Sequence, residues 1–416
     1  MTLMSKATKK ERLGPESTGQ NRITLLGGAC LVAWSVVLVC CLAADRVLAA
    51  PYIPNHDAQV LERLPVTVDS QARELRQLRK TLAEDPENLE LAIAVAKHYL
   101  TMGRSESDPR YYGYAQSALR PWWDQKAPPP QVLIIRAIVR QAGHKFNAAL
   151  NDLSRVLRVQ PNNPQAWLTR AVILEVQGDY AGALRSCMPL LRLSNAIMAT
   201  SCISSATSLS GQAKDSYQGL RETLETRTSA HAQEQLWALT VLAEIAARLG
   251  RDYDAEQHFK QALSLGLRDT YLLRAYTDFL LDQNRPAEVQ ALLQDDIRPD
   301  GLLLRLALAE QQLNLPTLKQ HVENLRARFA ENGLRSDTRH LRLEARFTHH
   351  LLKKPKQALE LAKQNWSVQR EPWDARILLE AALDAHDTDA AKPVLEWLKT
   401  VHLEDARLTR LIGRLS

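Results

Sequence analysis

The chain has 416 residues, of which 45% are hydrophobic and 24% charged, the balance of a folded protein rather than of a disordered one. Ala, Leu, Arg and Gln recur, and these good helix formers favour an all-α fold. The formal net charge is +6, but residues 1–22 carry five basic and two acidic side chains, half of that excess. The rest mixes both signs without an aromatic-interleaved basic stripe, so we predict no binding to nucleic acid.

The first predicted element is an apolar helix over residues 23–44, which contains no charged residue. Its 22 residues are long enough to span the hydrocarbon core of a bilayer, roughly 30 Å. A cleaved signal peptide usually has a shorter apolar region. However, Val47, Leu48 and Ala49 also form an acceptable small-residue cleavage site. We expect residues 23–44 to be a retained transmembrane anchor, with an uncleaved or cleaved signal sequence as the alternative.

The charges beside this span predict its orientation. Residues 1–22 form a basic tail, whereas only Arg46 and Arg63 follow closely on the other side. The positive-inside rule therefore keeps the tail in the cytoplasm and exports the rest. In a bacterium, this gives a single-pass inner-membrane protein with its C-terminal domain in the periplasm. Residues 45–68 contain three prolines and are predicted to form an extended linker.

An internal repeat begins in the middle of the chain. The segment starting at Pro130 aligns with the segment starting at Pro164, an offset of 34 residues, and Ala137 aligns with Ala171. Proline in the first turn presets φ at no cost in hydrogen bonds. We expect the small alanines to lie where two antiparallel helices approach most closely. A 34-residue period is typical of helix–turn–helix repeats.

These residues resemble the tetratricopeptide repeat family. Trp167, Ala171, Tyr180 and Ala183 match the large, small, aromatic and small residues that the family pattern requires, and Pro161 closes the preceding repeat. The resemblance implies that Tyr180 packs back against its own first helix and that residues 178–180 form the turn. The equivalent turn position in the earlier repeat is His144, with Gly143 displaced by one.

More divergent copies extend the array in both directions. Residues 89–121 fit with a turn at Gly103, and further helix pairs are predicted to turn near Pro316, Pro355 and Thr388. The predicted domain is an α-solenoid of about eight tetratricopeptide-like repeats over residues 69–416, coiled as a right-handed superhelix. Stacking supplies the core of such an array, and the first helices line its concave side.

The concave side is the predicted partner-binding site, suited to an extended peptide or a helix from another protein. By register, the groove residues of two successive repeats are Gln131, Ile134, Ile138 and Gln141, and Gln165, Leu168, Val172 and Glu175. Arg136, Arg140 and Arg170 either contact a partner's carboxylate or are unpaired and solvated, which is the commoner case. The Lys/Asn carboxylate clamp of chaperone-binding members of the family is absent from these positions, so that activity is not carried over.

The sequence gives little sign of chemistry, and we predict no enzymatic activity, no cofactor and no metal site. His349 and His350 are adjacent, and neighbours on a helix point about 100° apart, so we do not expect them to chelate. Asp384, His386, Asp387 and Asp389 lie in one segment and form either a weak cation site or a polar turn. Cys187 and Cys202 lie in successive repeats and form either a disulfide in an oxidising compartment or two small buried thiols.

Three functions remain open from the sequence. The leading prediction is a protein-interaction scaffold or adaptor that assists assembly of an envelope or exported complex. The first alternative is a fixed structural subunit of an export or cell-envelope machine, and the second is an enzyme or metal-handling factor. Trp397, Leu398 and Leu411 either cap the array or mediate homo-oligomerisation.

Overall fold

The computed structural model describes residues 70–226, 231–334 and 338–415. These residues form α-helices and two short 3-10 turns, which confirms the predicted all-α fold. The basic tail, the predicted membrane span and the linker all lie outside the described residues. Within the described ranges, no helix combines the length and the hydropathy needed to cross a membrane.

Nine helix pairs make up most of the described chain, preceded by α1 and followed by α22. Two short helices, α4 and α9, connect neighbouring pairs. We number the pairs 1 to 9 and call their members the first and the second helix. The bounds are α1 Ser70–Glu84; pair 1 α2 Leu89–Glu106 and α3 Arg110–Ala118; α4 Arg120–Trp123; pair 2 α5 Pro130–Ala142 and α6 Phe146–Val159; pair 3 α7 Pro164–Val176 and α8 Tyr180–Cys187; α9 Leu190–Leu193; pair 4 α10 Ala196–Ser208 and α11 Ala213–Thr226; pair 5 α12 Ala232–Arg248 and α13 Asp252–Ser264; pair 6 α14 Thr270–Asp282 and α15 Pro286–Leu293; pair 7 α16 Asp300–Leu313 and α17 Leu318–Leu334; pair 8 α18 Leu341–His350 and α19 Pro355–Trp366; pair 9 α20 Pro372–Asp384 and α21 Lys392–Val401; and α22 Ala406–Ile412.

Local sequence explains where several of these helices begin. Asn163 accepts a hydrogen bond from the backbone N–H of Ala166 at 3.0 Å, and Asp269 accepts one from Leu272 at 2.9 Å. Such side-chain caps satisfy donors that have no partner within the helix. Pro164 is the first residue of its helix, where the missing N–H costs nothing.

The turn inside each pair passes through one residue with left-handed backbone geometry. In pair 3 this residue is Gly178, at φ 79°, and in pair 2 it is His144, at φ 54°. The N–H of Asp179 then reaches the carbonyl of Leu174 at 2.9 Å, closing a Schellman motif. The same geometry recurs in all nine described pairs, at Ser107, His144, Gly178, Gly211, Gly250, Asn284, Asn314, Lys353 and His386.

Successive first helices lie beside one another from pair 1 to α22, forming a first-helix layer. The second helices pack against them, and the core fills the space between. Ala137 and Ala171 are almost fully buried, as expected for small residues at close helix contacts. Phe259, Tyr276 and Phe279 cluster with ring centroids 5.2–6.3 Å apart between pairs 5 and 6.

One predicted detail of the repeat is wrong. Gly103 lies inside the first helix of pair 1, which continues to Glu106, so the turn comes at Ser107 instead. Tyr180 also reaches beyond its own pair. It joins the core of pairs 8 and 9, with its ring centroid 6.1 Å from that of Trp397.

Pairs that are distant in sequence therefore come into contact. The Tyr180 hydroxyl donates to the carbonyl of Arg370 at 3.2 Å, and the Arg370 N–H donates to the carbonyl of Val176 at 2.9 Å. At the start of α11, the N–H of Ala213 donates to Glu404 at 2.7 Å. Thr270 donates to the carbonyl of Ser105, which joins pair 6 to pair 1. These contacts tie early pairs of the array to late ones.

Candidate partner-binding surface

The eight residues of the predicted groove lie on the first helices of pairs 2 and 3, which we call the N-terminal face. Gln131 and Gln165 are exposed, and Val172 is half-buried. Glu175 ends the row and accepts a hydrogen bond from Ser205 at 2.8 Å. This face therefore presents amide groups beside a partly exposed apolar side chain, which suits a partner that combines an apolar side chain with backbone hydrogen bonds.

The remaining predicted groove residues contribute more to the core. Ile134 is only 8% exposed and packs in the core of pairs 2 and 3. Ile138 bridges that core and the core of pairs 1 and 2, whereas Leu168 packs beside Cys187 and Cys202. Gln141 is half-buried in the last turn of its helix. The accessible part of the face is therefore narrower than the register predicts.

The arginines predicted to reach a partner are instead paired within the chain. Arg136 is buried and donates two hydrogen bonds to Asp152, at 2.8 and 2.9 Å. Arg140 donates to the same carboxylate at 2.6 Å, and Arg170 donates to Ser186 at 2.7 Å. Their functional prediction is wrong because the second helix of each pair supplies the acceptor.

Two carboxyl groups in the first-helix layer have strongly raised pKa values. Burial raises the pKa of Glu175 to about 7, despite the hydrogen bond from Ser205. Burial likewise raises the pKa of Glu244 to about 7, although Tyr271 donates to it at 2.9 Å. The Tyr271 side chain touches solvent, yet protein atoms and the neighbouring Glu244 raise its pKa well above the usual value. Glu175 and Glu244 therefore change charge close to neutral pH.

The first helices of pairs 6 to 9, which we call the C-terminal face, are linked by ion pairs. Asp278 of pair 6 accepts from Arg305 of pair 7 and, at 2.6 Å, from Arg346 of pair 8. All three are buried. Burial favours the neutral carboxyl, but the two guanidinium groups hold the pKa of Asp278 below its usual value. Burial lowers the pKa of Arg305 to about 10, because one carboxylate serves two cations.

Further ion pairs extend this network to the end of the chain. Arg376 of pair 9 lies 2.8 Å from Asp282 of pair 6, which also receives Arg407 of α22 at 3.1 Å. Arg342 of pair 8 donates to Asp374 of pair 9 at 2.8 Å. The C-terminal face thus has its charges satisfied by one another, which leaves them less available to a partner.

Cys187 and Cys202 are joined by a disulfide, with Cα atoms 5.6 Å apart. The two residues are buried, one in the second helix of pair 3 and the other in the first helix of pair 4. Their separation lies in the range that disulfides favour. An oxidised pair in the native protein remains a prediction.

The acidic turn after pair 9's first helix does not gather its side chains around one point. Asp387 caps the N–H of Ala390 at 3.1 Å, and Asp389 pairs with Lys392 at 2.7 Å. His386 is exposed at the left-handed position of the turn. The polar-turn alternative therefore describes these residues, with the exception of Asp384, which reaches His349 at 3.0 Å.

The expectation that His349 and His350 point apart is wrong. Nδ1 of His349 lies 3.3 Å from Nε2 of His350, with the ring centroids 4.4 Å apart. The two rings meet edge to face, so the side chains converge although the residues are adjacent on the helix. Sequence reasoning also missed the ion pairs of the C-terminal face. Their signal was the presence of Asp278, Arg305 and Arg346 on three successive first helices.

The comparisons with known proteins show only that this chain is similar to solved structures of low sequence identity. The chain matches no protein-family model and no curated protein. It is similar to a tetratricopeptide repeat protein from Parabacteroides merdae, with 12% identity and a TM-score of 0.37 over 75% of this chain and 99% of that chain. It is also similar to a human IFIT1 dimer with PPP-AAAA, with 13% identity and a TM-score of 0.41 over 81% of this chain and 95% of that chain.

A third similar structure is the APC/C hetero-tetramer Cut9-Hcn1, with 15% identity and a TM-score of 0.38 over 75% of this chain. The match covers 52% of that chain, so this protein spans about half of its length. Likeness at these TM-scores carries no argument about activity or partners.

Proposed function

We propose that this protein is a non-enzymatic interaction scaffold of diverged tetratricopeptide type, which holds a protein or peptide partner on its N-terminal face. The observation that carries the proposal is the contrast within one continuous first-helix layer. Exposed amides and half-buried apolar groups occupy pairs 2 and 3, whereas linked ion pairs occupy pairs 6 to 9. A face that exposes amides beside apolar groups offers a partner both hydrogen bonds and apolar contact.

The C-terminal face supports this role by stiffening the array. Its buried ion pairs connect four successive pairs and α22, and the Tyr180–Arg370 contact ties them to pair 3. A surface that is already ordered loses less conformational entropy when it binds. The stiff half therefore helps the N-terminal face to bind without first rearranging.

The proposed setting is the periplasmic side of a bacterial inner membrane. The apolar segment 23–44 and the basic tail before it support a single-pass anchor with the repeats exported. There the scaffold would assist assembly of an envelope or exported complex. An alkaline phosphatase fused after Ser416 tests the orientation: activity in cells supports export, and an inactive, stably produced fusion contradicts it.

Partner capture tests the scaffold itself. The full-length protein, tagged at its C-terminus, is purified from crosslinked native membranes, and the co-purified proteins are identified by mass spectrometry. Val172→Glu places a charge on the N-terminal face, which should remove the partners by desolvating an unpaired carboxylate. Val159→Glu is the matched control, because Val159 is 69% exposed at the end of a second helix.

The outcomes separate the proposal from its alternatives. Proteins captured by the wild type and by Val159→Glu, but not by Val172→Glu, support the N-terminal face as the binding surface. Capture that both variants retain contradicts this assignment. A partner recovered at fixed stoichiometry under all growth conditions indicates a permanent structural subunit instead of an adaptor.

A further inference from the structure

Three potential metal ligands converge between the first helices of pairs 8 and 9. His349 and His350 are the last two residues of α18, and Glu380 lies on α20. Nε2 of His350 is 3.3 Å from Nδ1 of His349 and 3.1 Å from a carboxylate oxygen of Glu380. One ligand atom from each of the three residues lies within 4.8 Å of the ligand atoms of the other two.

A neighbouring carboxylate orients the buried histidine. Oδ2 of Asp384 lies 3.0 Å from Nε2 of His349, so that nitrogen carries the proton and Nδ1 keeps its lone pair. That lone pair faces His350 and Glu380. Metal-binding histidines commonly donate their other N–H to a carboxylate in this way, which fixes the tautomer and strengthens the ligand.

Glu380 is also held by a second group. Nε of Arg376 donates to Oε1 of Glu380 at 2.7 Å, which leaves Oε2 directed at His350. The positive charge of Arg376 would oppose a metal ion, but Arg376 is itself paired with Asp282 at 2.8 Å. Asp282 also pairs with Arg407, so three carboxylates, those of Glu380, Asp282 and Asp384, face two guanidinium groups. This balance remains compatible with a dication.

The ligand spacing indicates which ion would fit. A tetrahedral zinc ion with bonds of about 2.0–2.1 Å places its ligand atoms about 3.3 Å apart. The two shortest separations here are 3.3 and 3.1 Å. Two imidazoles and one carboxylate suit zinc and related transition metals, whereas calcium and magnesium prefer oxygen alone.

We propose that His349, His350 and Glu380 bind a divalent first-row transition-metal ion of the zinc class, with Asp384 as the residue that positions His349. The His349 side chain is 7% exposed and that of His350 is 31% exposed, so the site opens on the His350 side. Water or a donor from a partner takes the fourth position there. The ion joins pair 8 to pair 9 and stabilises their contact by binding the folded state.

The test uses the full-length protein with a tag free of histidine, stripped with a chelator and titrated with Zn²⁺ by calorimetry. We expect one equivalent to bind and the midpoint of thermal unfolding to rise. Co²⁺, used as a spectroscopic probe, should show the intense visible absorption of a tetrahedral site. The variants His350→Gln and Glu380→Gln should each weaken binding tenfold or more and remove the cobalt spectrum.

Two further variants keep the test decisive. His386→Asn changes an exposed histidine of the adjacent turn and should bind Zn²⁺ as the wild type does. Asp384→Asn should weaken binding 10- to 100-fold but keep a tetrahedral cobalt spectrum, as expected for a positioning residue. The proposal is overturned if the wild type fails to bind Zn²⁺ at micromolar concentration. It is also overturned if His350→Gln and Glu380→Gln, with wild-type circular dichroism, bind as tightly as His386→Asn does.

Discussion

The N-terminal and C-terminal faces are made by the same kind of helix pair but leave opposite surfaces. In pairs 2 and 3 the charged residues of the first helices turn inward, and Arg136 and Arg140 are satisfied by Asp152 of the second helix. In pairs 6 to 9 the ion pairs join different first helices. Asp278 of pair 6, for example, pairs with Arg305 of pair 7 and with Arg346 of pair 8. The direction of the ion pairs, within a pair or between pairs, distinguishes the two faces.

This difference separates two tasks that a scaffold must perform. Polar contacts within a pair hold each hairpin together and leave exposed Gln131 and Gln165 and half-buried Val172 for a partner. Ion pairs between pairs use up the polar groups of the face and couple distant parts of the array. Buried pairs of this kind add little net stability, but they strongly oppose arrangements that would separate them.

The largest expected effect comes from breaking the charge network of the C-terminal face. Asp278→Ala leaves Arg305 and Arg346 buried without their shared carboxylate, which should cost about 3–5 kcal/mol. Chemical denaturation followed by circular dichroism measures the loss. Glu360→Ala is the control, because its ion pair with Lys363 is exposed and should contribute less than about 1 kcal/mol. Similar losses in the two variants would contradict the network.

The joint between early and late pairs gives the next largest effect. Gly178 has φ 79°, and a Cβ there would lie 3.0 Å from Cβ of Arg370 and 3.1 Å from Nε1 of Trp397. Gly250 has a similar φ of 73°, but the nearest atom to its Cβ is 3.8 Å away. Both alanine variants pay about 1–2 kcal/mol for the left-handed backbone. Gly178→Ala should lose about 1–3 kcal/mol more for crowding.

Thermal and chemical denaturation of the two glycine variants, under identical conditions, measures this difference. Equal losses would show that the contact between Gly178 and the late pairs contributes nothing to stability.

A smaller effect should appear as a pH dependence at the border of the N-terminal face. The pKa of Glu175 is about 7 in the folded protein, above its usual 4.5. Folding is therefore penalised increasingly as pH rises from 4.5 to 7, fully above 7 and not at all below 4.5. Glu175→Gln removes this penalty. Between pH 5 and pH 8 its free energy of unfolding should rise above that of the wild type by up to about 1–3 kcal/mol, a range that solvent screening of the partly exposed side chain reduces.

Denaturation midpoints of Glu175→Gln and the wild type across this pH range provide the measurement. Glu360→Gln, at an exposed site, should show no such trend. A gain by Glu175→Gln that is the same at every pH would contradict the raised pKa.

The smallest effect concerns the left-handed turns that all pairs share. Lys353 has φ 55° and an exposed side chain, so the backbone strain there has no compensating contact with the core. Lys353→Gly should stabilise the protein by about 0.5–1 kcal/mol. A rise of a few degrees in the unfolding midpoint checks this. Lys356→Gly is the control and should destabilise the protein, because glycine is unfavourable inside a helix.

The sequence predicted the features that depend on local rules. The 34-residue period, the proline at the start of the first helices and the buried Ala137 and Ala171 follow from helix geometry and close packing. The turns were predicted only in part, because Ser107, Lys353 and His386 adopt the left-handed geometry without being glycine. Nothing in their side chains signals this geometry. At His386, for example, it accompanies the Schellman hydrogen bond from the Asp387 N–H to the carbonyl of Ala382 at 2.9 Å.

The site was less predictable because it depends on which pairs meet. The ion pair between Asp282 and Arg376 joins residues 94 positions apart, and the bond between Tyr180 and Arg370 joins residues 190 apart. A 34-residue period predicts which helices are neighbours in successive pairs, but it does not predict the contacts between pairs that are distant in sequence. The contact between the rings of His349 and His350 depends on the orientation of each side chain, which the repeat period does not predict.

Site-specific photo-crosslinking in living cells tests whether a partner is held on the N-terminal face. A photoreactive residue replaces either Gln165, exposed on the N-terminal face, or Glu360, exposed on the second helix of pair 8. The account predicts a defined crosslinked product with another protein from position 165 and none from position 360. Products of equal yield from both positions, or a product from position 360 alone, would contradict a partner held on the N-terminal face.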